Sequence, residues 1–130
     1  MINPDTIRKR ILIVDDEPVI RQFCQRVLTE EGFEVDAATD GIEAQLMINR
    51  HEYDLYLFDI KMPLMDGKEL YESLQKTYSG IVSRIVLTTG SAIGQDTEEF
   101  LKSSGRPILP KPFTTEELKA IVKEVLQRTD

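Results

Sequence analysis

Short runs of apolar residues alternate along this chain with longer segments in which apolar residues recur every three or four positions. Five runs have the length of β-strands, and they cover residues 11–14, 34–38, 53–58, 85–87 and 108–109. The third run is nearly all apolar rather than alternating, which is typical of a strand covered on both faces. The pattern predicts five strands, most of them buried.

Three segments between or after these runs have the apolar spacing of amphipathic helices. The spacing i, i+3, i+4, i+7, i+8 occurs over residues 20–28 and 118–126, and a third face comprises Leu70, Tyr71, Leu74 and Tyr78. Residues 42–50 and 97–103 are weaker helix candidates. The order is therefore strand then helix, five times over, which predicts an α/β fold with a parallel sheet and helices on both faces.

The residues at the predicted element ends agree with this order. Pro18 suits the first position of a helix, and three pairs have capping-box spacing: Asp40/Glu43, Asp66/Glu69 and Thr114/Glu117. Prolines flank the fifth run, which indicates an edge strand, because proline cannot donate to a central ladder. We expect a loose leader at 1–9, one domain at 10–127 and a short tail at 128–130.

Composition narrows the classes of function. The 130 residues suffice for one domain with a hydrophobic core. The net charge of −7 argues against nucleic acid or anionic membranes as partners, since both need basic patches. No apolar run approaches the ~20 residues of a membrane span, and the N-terminus lacks a signal-peptide core. A single cysteine allows no internal disulfide, which favours a cytoplasmic location.

Chemically active side chains follow four of the predicted strands. They are Asp15, Asp16 and Glu17 after the first strand, Asp59 after the third, Thr88 and Thr89 after the fourth, and Lys111 after the fifth. Open parallel sheets bind ligands at this carboxyl edge. Crowded carboxylates repel one another and require solvent, a structural cap or a cation. Hard oxygen ligands without a histidine or cysteine cluster suit Mg²⁺.

Four motifs at these positions resemble the receiver domain of two-component response regulators. They are Asp15-Asp16, LFDIKMPLMDG from Leu57 to Gly67, LTTG from Leu87 to Gly90, and Lys111-Pro112-Phe113. The resemblance covers about residues 10–127 and implies a flavodoxin-like sheet in the order 2-1-3-4-5. Residues 89–101, with 105–107, are also similar to receivers attached to hybrid histidine kinases.

The resemblance implies a phosphorylation-operated switch rather than a conventional enzyme. Asp59 would accept a phosphoryl group from the phosphohistidine of a sensor histidine kinase or phosphotransfer domain. Asp16, Asp59 and the backbone carbonyl of Lys61 would bind Mg²⁺, with Asp15 acting through a metal-bound water. Thr89 and Lys111 would hold phosphoryl oxygens.

Further expectations come from the same resemblance. The Lys111–Pro112 bond is a candidate for the cis form, and the side chains of Lys61 and Ser91 would tune the lifetime of the phosphorylated state. Ile108 occupies a position that is aromatic in many receivers, so the aromatic part of the switch is missing. A kinase would dock on the first helix, where the solvent-facing candidates are Arg21, Gln22 and Gln25, while Ile20 and Phe23 would face the core. A homodimer remains open.

Several other residues have structural interpretations. We expect Glu17 to be a first-turn acid favoured by the helix dipole, Thr88 to bond within its strand, and Asp66 to cap a helix. Cys24 lies on an apolar helix face and belongs to the core, and His51 is expected at the surface.

Other classes of function fit the sequence less well. A phosphatase of the haloacid-dehalogenase type would have D-x-D after its first strand and a larger chain, whereas Asp15 and Asp16 are adjacent. Phosphate-loop and dinucleotide motifs do not occur, and one histidine gives little support to zinc or Ser-His-Asp chemistry. A degenerate receiver that only binds other proteins remains an alternative, although the intact acids and Lys111 speak against it. The sequence does not distinguish a stand-alone receiver from part of a longer protein.

Overall fold

The computed structural model describes residues 8–62, 64–90 and 94–128. Five strands are present in these ranges: β1 (Arg10–Val14), β2 (Glu34–Ala38), β3 (Leu55–Asp59), β4 (Ile85–Thr89) and β5 (Ile108–Pro110). Five α-helices alternate with them: α1 (Pro18–Glu30), α2 (Gly41–Arg50), α3 (Gly67–Thr77), α4 (Gln95–Ser104) and α5 (Thr115–Arg128). A 3₁₀ helix (Ser79–Arg84), which the apolar pattern did not predict, precedes β4.

The strands form one parallel sheet in the order β2-β1-β3-β4-β5. The predicted fold class and strand order are therefore confirmed, and β5 lies at an edge as its flanking prolines indicated. The register places the last residues of neighbouring strands side by side: Val14 pairs with Ala38 and Phe58, and Thr89 pairs with Pro110. All five carboxyl ends consequently face the same edge of the sheet.

The sheet separates two hydrophobic layers. Leu12 and Val14 of β1 belong to the layer that also contains the buried side chains of α2, α3 and α4. Ile11 and Ile13 point the other way, into the layer formed with α1 and α5. Because successive strand residues alternate between faces, both faces of β1 and β3 are buried, as the continuous apolar runs predicted. Two packed layers hold the sheet rigidly between them.

The strand ends differ slightly from the apolar runs. β3 begins at Leu55, although Tyr53 is also buried, at 1% exposure. β4 continues through Thr89 and β5 through Pro110, so the polar residues at these ends still belong to the ladder. Hydrophobicity reports burial, whereas a strand is defined by its hydrogen bonds, and the two need not end at the same residue.

The predicted helix starts are largely as the structure has them. α1 begins at Pro18, and the pairs Asp66/Glu69 and Thr114/Glu117 each form both hydrogen bonds of a capping box. Asp40 accepts the N–H of Glu43, but the Glu43 carboxylate accepts from the N–H of Thr39 rather than from that of Asp40. These bonds satisfy amide groups that have no partner within the first turn.

The chain ends lie partly outside the described ranges. β1 begins at Arg10 and α5 runs to Arg128, one residue beyond the expected domain boundary. The expected leader falls almost wholly on residues 1–7, so the domain limits remain a prediction. Within the described ranges, no helix has the length and apolarity to cross a membrane.

Candidate functional site

The site lies at the carboxyl edge of the sheet, where β1, β3, β4 and β5 end. Asp15 follows β1, Asp59 is the last residue of β3, and the register sets Asp59 beside Thr88 of β4. The backbone N–H of Lys111 donates to the carbonyl of Thr89 at 2.8 Å, which extends the ladder one residue past β5. The parallel topology therefore brings together residues that are up to 96 positions apart in sequence, such as Asp15 and Lys111.

The ammonium group of Lys111 is at the centre of this site. Its Nζ lies 2.8 Å from Oδ2 of Asp15, 3.0 Å from Oδ2 of Asp59 and 3.1 Å from Oε1 of Glu17. The side chains of Lys111, Asp15 and Asp59 are 13%, 3% and 7% exposed. Two of these three ion pairs are therefore largely shielded from water. Charges interact more strongly in such a shielded position than they do in water.

One ammonium group faces more carboxylates than it can neutralise. Oxygen atoms of Asp15, Asp16, Glu17 and Asp59 all lie within 4.8 Å of one another. The cluster contains no histidine or cysteine, and hard carboxylate oxygens of this kind are the ligands that Mg²⁺ prefers. The donor set and its excess negative charge both fit a divalent cation.

Burial and ion pairing affect the titration of these groups in opposite directions. Burial raises the pKa of Asp15 and of Asp59, although the hydrogen bond from Lys111 opposes the shift at both residues. The nearby charge of Asp15 raises the pKa of Asp59 further. Burial alone would lower the pKa of Lys111, but hydrogen bonds to Asp15, Asp59 and Glu17 outweigh it and raise that pKa. Lys111 thus stays charged while the two aspartates carry a cost for being ionised.

The loop after β3 is held against two helix starts. A Cβ atom on Gly67 would lie 2.3 Å from the carbonyl oxygen of Asp59, so only glycine fits so close to the phosphoacceptor candidate. Gly41 approaches Met65 in the same way, with the Met65 carbonyl 2.4 Å from a Cβ position, and its N–H donates to that carbonyl. The N–H of Lys61 donates to Oδ1 of Asp59 at 3.2 Å. These contacts fix the Asp59 carboxylate beside the loop that follows it.

Asp15 has a partner for each of its polar groups. Its N–H donates to the Ala38 carbonyl at 3.1 Å, and its Oδ1 accepts the N–H of Glu17 at 2.9 Å. Its Oδ2 binds Lys111, and its backbone carbonyl accepts Nη1 of Arg21 at 2.7 Å. The loop after β1 is therefore fixed by side chains from α1 and from the end of β5.

The predicted threonines differ in their contacts. The hydroxyl of Thr88 donates to the Phe58 carbonyl of β3, so this residue bonds to the neighbouring strand instead of within its own strand. The hydroxyl of Thr89 donates to the carbonyl of Gly90 at the edge of the sheet, and the residue is buried. The Lys111–Pro112 peptide bond is cis, as predicted.

Glu17 and Arg21 contribute more to the site than their sequence positions indicated. Glu17 precedes α1 without capping it, and its carboxylate binds Lys111 instead. Arg21 was expected to face solvent, but it is half-buried and reaches back to Asp15; of the three proposed docking residues, only Gln22 is exposed. Ile20 and Phe23 pack against the core as expected. The adjacency of Glu17 to the acidic pair could have revealed its role, whereas nothing in the sequence shows that Arg21 bends back.

Other predicted residues lie where the sequence indicated. Cys24 is fully buried, and burial raises the pKa of its thiol to about 12, so it is a core residue. His51 is exposed at the end of α2. The backbone carbonyl of Lys61 as a metal ligand remains a prediction, and Ser91 lies outside the described residues.

Buried aspartates and a lysine thus meet at the carboxyl edge of a five-stranded parallel sheet, the edge at which open α/β sheets bind ligands. The response regulator receiver domain model matches residues 11–123. The chain belongs to this family, and it is a receiver domain of the two-component type.

Relatives and solved structures agree with this membership. The chain is 36% identical to response regulator MprA of Mycobacterium leprae (strain TN) over 120 residues, which are 92% of this chain and 52% of that protein. It is 31% identical to the probable transcriptional regulator ycf29 of Porphyra purpurea, covering 91% of this chain and 56% of that protein. A CheY-like receiver domain protein from Methanospirillum hungatei JF-1 superimposes with a TM-score of 0.85 at 34% identity, covering 94% and 96% of the two chains. The chain spans about half the length of the first two of these relatives, the MprA and ycf29 regulators.

Proposed function

We propose that this receiver domain accepts a phosphoryl group onto Asp59 from the phosphohistidine of a partner histidine kinase or phosphotransfer domain, in a reaction that depends on Mg²⁺. The observation that carries this proposal is the convergence of Asp59, Asp15 and Lys111 in one buried pocket. A surface aspartate lacks such neighbours. Clustered titratable groups with shifted pKa values are typical of functional sites.

In the proposed transfer, a carboxylate oxygen of Asp59 attacks the phosphorus atom of the phosphohistidine. A P–O bond forms, the P–N bond breaks, and the electron pair leaves on the imidazole nitrogen, so that Asp59 becomes an acyl phosphate. Lys111 then pairs with a phosphoryl oxygen in place of the Asp59 oxygen it now binds. Hydrolysis by water restores the carboxylate and releases inorganic phosphate, so the domain catalyses only its own phosphorylation and dephosphorylation.

The acids in the pocket would hold the metal ion. Asp16, Asp59 and the backbone carbonyl of Lys61 are the proposed direct ligands, with Asp15 acting through a metal-bound water. When bound, Mg²⁺ would supply positive charge that offsets the carboxylates and the incoming phosphoryl oxygens. Asp16 is exposed, so it offers its carboxylate without the desolvation that affects Asp15 and Asp59.

Thr89 would report the phosphorylated state to the rest of the domain. Its hydroxyl now donates to the Gly90 carbonyl, a neutral acceptor in its own loop. An acyl phosphate on Asp59 offers charged oxygens, which accept stronger hydrogen bonds. Turning the hydroxyl toward the phosphoryl group would move the start of the β4–α4 connection.

The partner would meet the domain in the cytoplasm, at the edge where the pocket opens beside α1. Gln22, which is exposed, and Gln25, which is half-buried, are the docking candidates, while Arg21 is bound to Asp15. The net charge of −7 supports a protein partner rather than nucleic acid or membrane for this domain.

Labelling with a small phosphodonor tests the proposal. Acetyl phosphate with Mg²⁺ should add one phosphoryl group, detected by intact-protein mass spectrometry, and chelation of Mg²⁺ should prevent it. Asp59→Asn keeps the shape of the side chain but lacks the nucleophile, so it should remain unlabelled. Asp36→Asn changes an aspartate in the middle of β2 that contacts Arg10 and Tyr53, so this variant should label like the wild type. Labelling that persists in Asp59→Asn would overturn the proposal, and multiple turnover of a phosphomonoester would favour a phosphatase instead.

A further inference from the structure

Arg21 lies in α1 directly behind the acidic loop, which consists of residues 15–17 between β1 and α1. Its backbone N–H donates to the Glu17 carbonyl at 3.1 Å, the first hydrogen bond of the helix. Its half-buried side chain turns back along the helix, and Nη1 donates to the carbonyl oxygen of Asp15 at 2.7 Å. A guanidinium group is thus committed to a backbone acceptor, even though carboxylates lie nearby.

This hydrogen bond acts on a specific peptide unit. The carbonyl of Asp15 and the amide nitrogen of Asp16 belong to the same planar group, so holding the oxygen fixes the orientation of the whole plane. The Asp15 side chain is fixed separately, by the N–H of Glu17 and by Lys111. The Arg21 contact is therefore the one that orients the backbone leading into Asp16, whose own side chain is exposed.

Arg21 and Lys111 both contact the acidic loop, but they bind different groups. Lys111 binds three carboxylates and must change partners when a metal ion or a phosphoryl group arrives. Arg21 binds a carbonyl that is not among the proposed ligands, so it can keep its hydrogen bond throughout.

We propose that Arg21 is a positioning residue of the metal site: its hydrogen bond to the Asp15 carbonyl sets the direction of the Asp16 carboxylate toward Mg²⁺. This inference rests on the Mg²⁺ site of the proposed function. Groups that hold metal ligands in place without touching the metal typically affect affinity by about ten-fold or more.

The direction in which Mg²⁺ affinity changes when Arg21 is replaced distinguishes a positioning role from a simple effect of its charge. A cation next to a metal site repels the metal, so removing the charge alone would strengthen Mg²⁺ binding. Loss of the hydrogen bond would weaken it, because the Asp15–Asp16 peptide plane could then rotate. The two explanations therefore predict opposite changes in the Mg²⁺ dissociation constant.

The experiment compares Arg21→Met and Arg21→Lys with Arg26→Met in the full chain. Methionine keeps an unbranched side chain without charge or donor, and lysine keeps the charge and one donor group. Arg26 is an exposed arginine of the same helix whose guanidinium lies over the Phe23 ring, so Arg26→Met removes the same charge away from the acidic loop. Calorimetric titration with Mg²⁺ should show a dissociation constant about ten-fold larger for Arg21→Met than for the wild type. The increase should be smaller for Arg21→Lys, and the constant should change little for Arg26→Met.

A second measurement needs no metal. Without the Arg21 hydrogen bond, the acidic loop should open more often, so the Glu17 amide should exchange its hydrogen faster in metal-free Arg21→Met than in the wild type. Amides in the centre of α1 should exchange at unchanged rates, which also checks that the helix is folded. If Arg21→Met does not fold, the comparison of Arg21→Lys with Arg26→Met decides.

The outcomes distinguish this inference from the proposed function. Wild-type protein that binds no Mg²⁺ would overturn the metal site and the inference with it. Wild-type binding together with equal or tighter binding by Arg21→Met would overturn the positioning role and leave the metal site intact. Weaker binding by Arg26→Met to the same extent would also overturn it, because the effect would then not depend on the Asp15 carbonyl.

Discussion

At each of the two edges of the sheet, a basic side chain lies among several acids. At the amino edge, the guanidinium nitrogens of Arg10 lie 3.4 Å from Oε2 of Glu34 and 3.6 Å from Oδ2 of Asp36. The backbone N–H of Arg10 donates to the carboxylate of Asp54. At the carboxyl edge, Lys111 faces its three carboxylates at 2.8 to 3.1 Å. The charged groups are similar in kind and number, so composition alone does not explain why only one edge is a candidate active site.

Exposure to water separates the two edges. The side chains of Arg10, Glu34 and Asp36 are 37%, 53% and 37% exposed, so water shares in their solvation. Asp36 also accepts a hydrogen bond from the Tyr53 hydroxyl at 2.7 Å, and Arg10 lies over the Tyr53 ring. At the carboxyl edge Asp15 and Asp59 are buried, and their main compensation is one shared ammonium group. Water therefore shares in solvating the charges at the amino edge, whereas the two aspartates at the carboxyl edge depend on contacts within the protein.

Removing the central cation should give the largest difference between the edges. Lys111→Met leaves Asp15 and Asp59 buried without their ion-pair partner, which should lower the free energy of unfolding by about 3 kcal/mol in metal-free protein. Arg10→Met breaks exposed pairs and should cost about 1 kcal/mol or less. Urea denaturation at neutral pH with a chelator measures both values.

The pH dependence provides the check on the cause. Burial raises the pKa of Asp15 and Asp59 in the folded protein, so the cost of their charge is present above those pKa values and disappears as the pH falls through them. The deficit of Lys111→Met should therefore shrink on acidification. Equal deficits for the two variants at neutral pH would mean that burial is not what distinguishes the edges.

A smaller effect of opposite sign is expected when an acid is neutralised. Asp59→Asn removes a buried charge that lies near Asp15 yet keeps an oxygen that accepts from Lys111, so metal-free protein should become more stable by on the order of 1 kcal/mol. Asp36→Asn changes the middle of β2, and it should be slightly destabilising because it weakens the contacts to Arg10 and Tyr53. Thermal unfolding in chelator measures both changes.

The size of this effect also depends on pH. The raised pKa of Asp59 means that its ionised form opposes folding at neutral pH, and protonation relieves this as the pH falls through the folded-state pKa. The advantage of Asp59→Asn over the wild type should therefore be greatest at neutral pH and diminish in acid. A wild type more stable than Asp59→Asn at neutral pH without metal would contradict the proposed excess of negative charge.

The contrast between the edges also explains what the sequence could predict. Asp15, Asp16, Asp59 and Lys111 could be assigned to one site because each follows a strand, and parallel strands all end at one edge. The order 2-1-3-4-5 came from the family resemblance rather than from the strand pattern, which leaves several orders open. No comparable rule identified the amino edge. The contacts of Arg10 with Asp54 and of Tyr53 with Asp36 depend on strand register, which the apolar pattern does not specify.

Side-chain direction set a second limit within the site itself. Arg21 occupies a polar position of an amphipathic helix, and such positions usually face solvent. A long, flexible side chain can instead fold back onto the preceding loop, as Arg21 does to reach Asp15. Glu17 was assigned to the helix start on its position beside Pro18, but its carboxylate binds Lys111, a residue that only the folded sheet brings near. Local sequence rules describe the backbone better than they describe these long-range contacts.

The smallest expected effect concerns how far activation spreads from the carboxyl edge. Ile108 lies on β5, where it pairs with Leu87 of β4. The residue is 37% exposed, and its side chain has no polar group at its tip. The expected packing of this residue is therefore not seen, but a β-branched side chain is stiff at its first torsion angle, so it should keep its place on the exposed face of β5 instead of swinging inward when Thr89 moves. Beryllofluoride with Mg²⁺, a mimic of the phosphorylated state, should shift amide resonances strongly around Asp59 and in the connections after β3 and β4, and only weakly at Ile108 and in α5. As a control, amides around Arg10 at the amino edge should not shift. Large, concerted shifts centred on Ile108 and α5 would show that the outer face of β5 takes part in the switch without an aromatic ring.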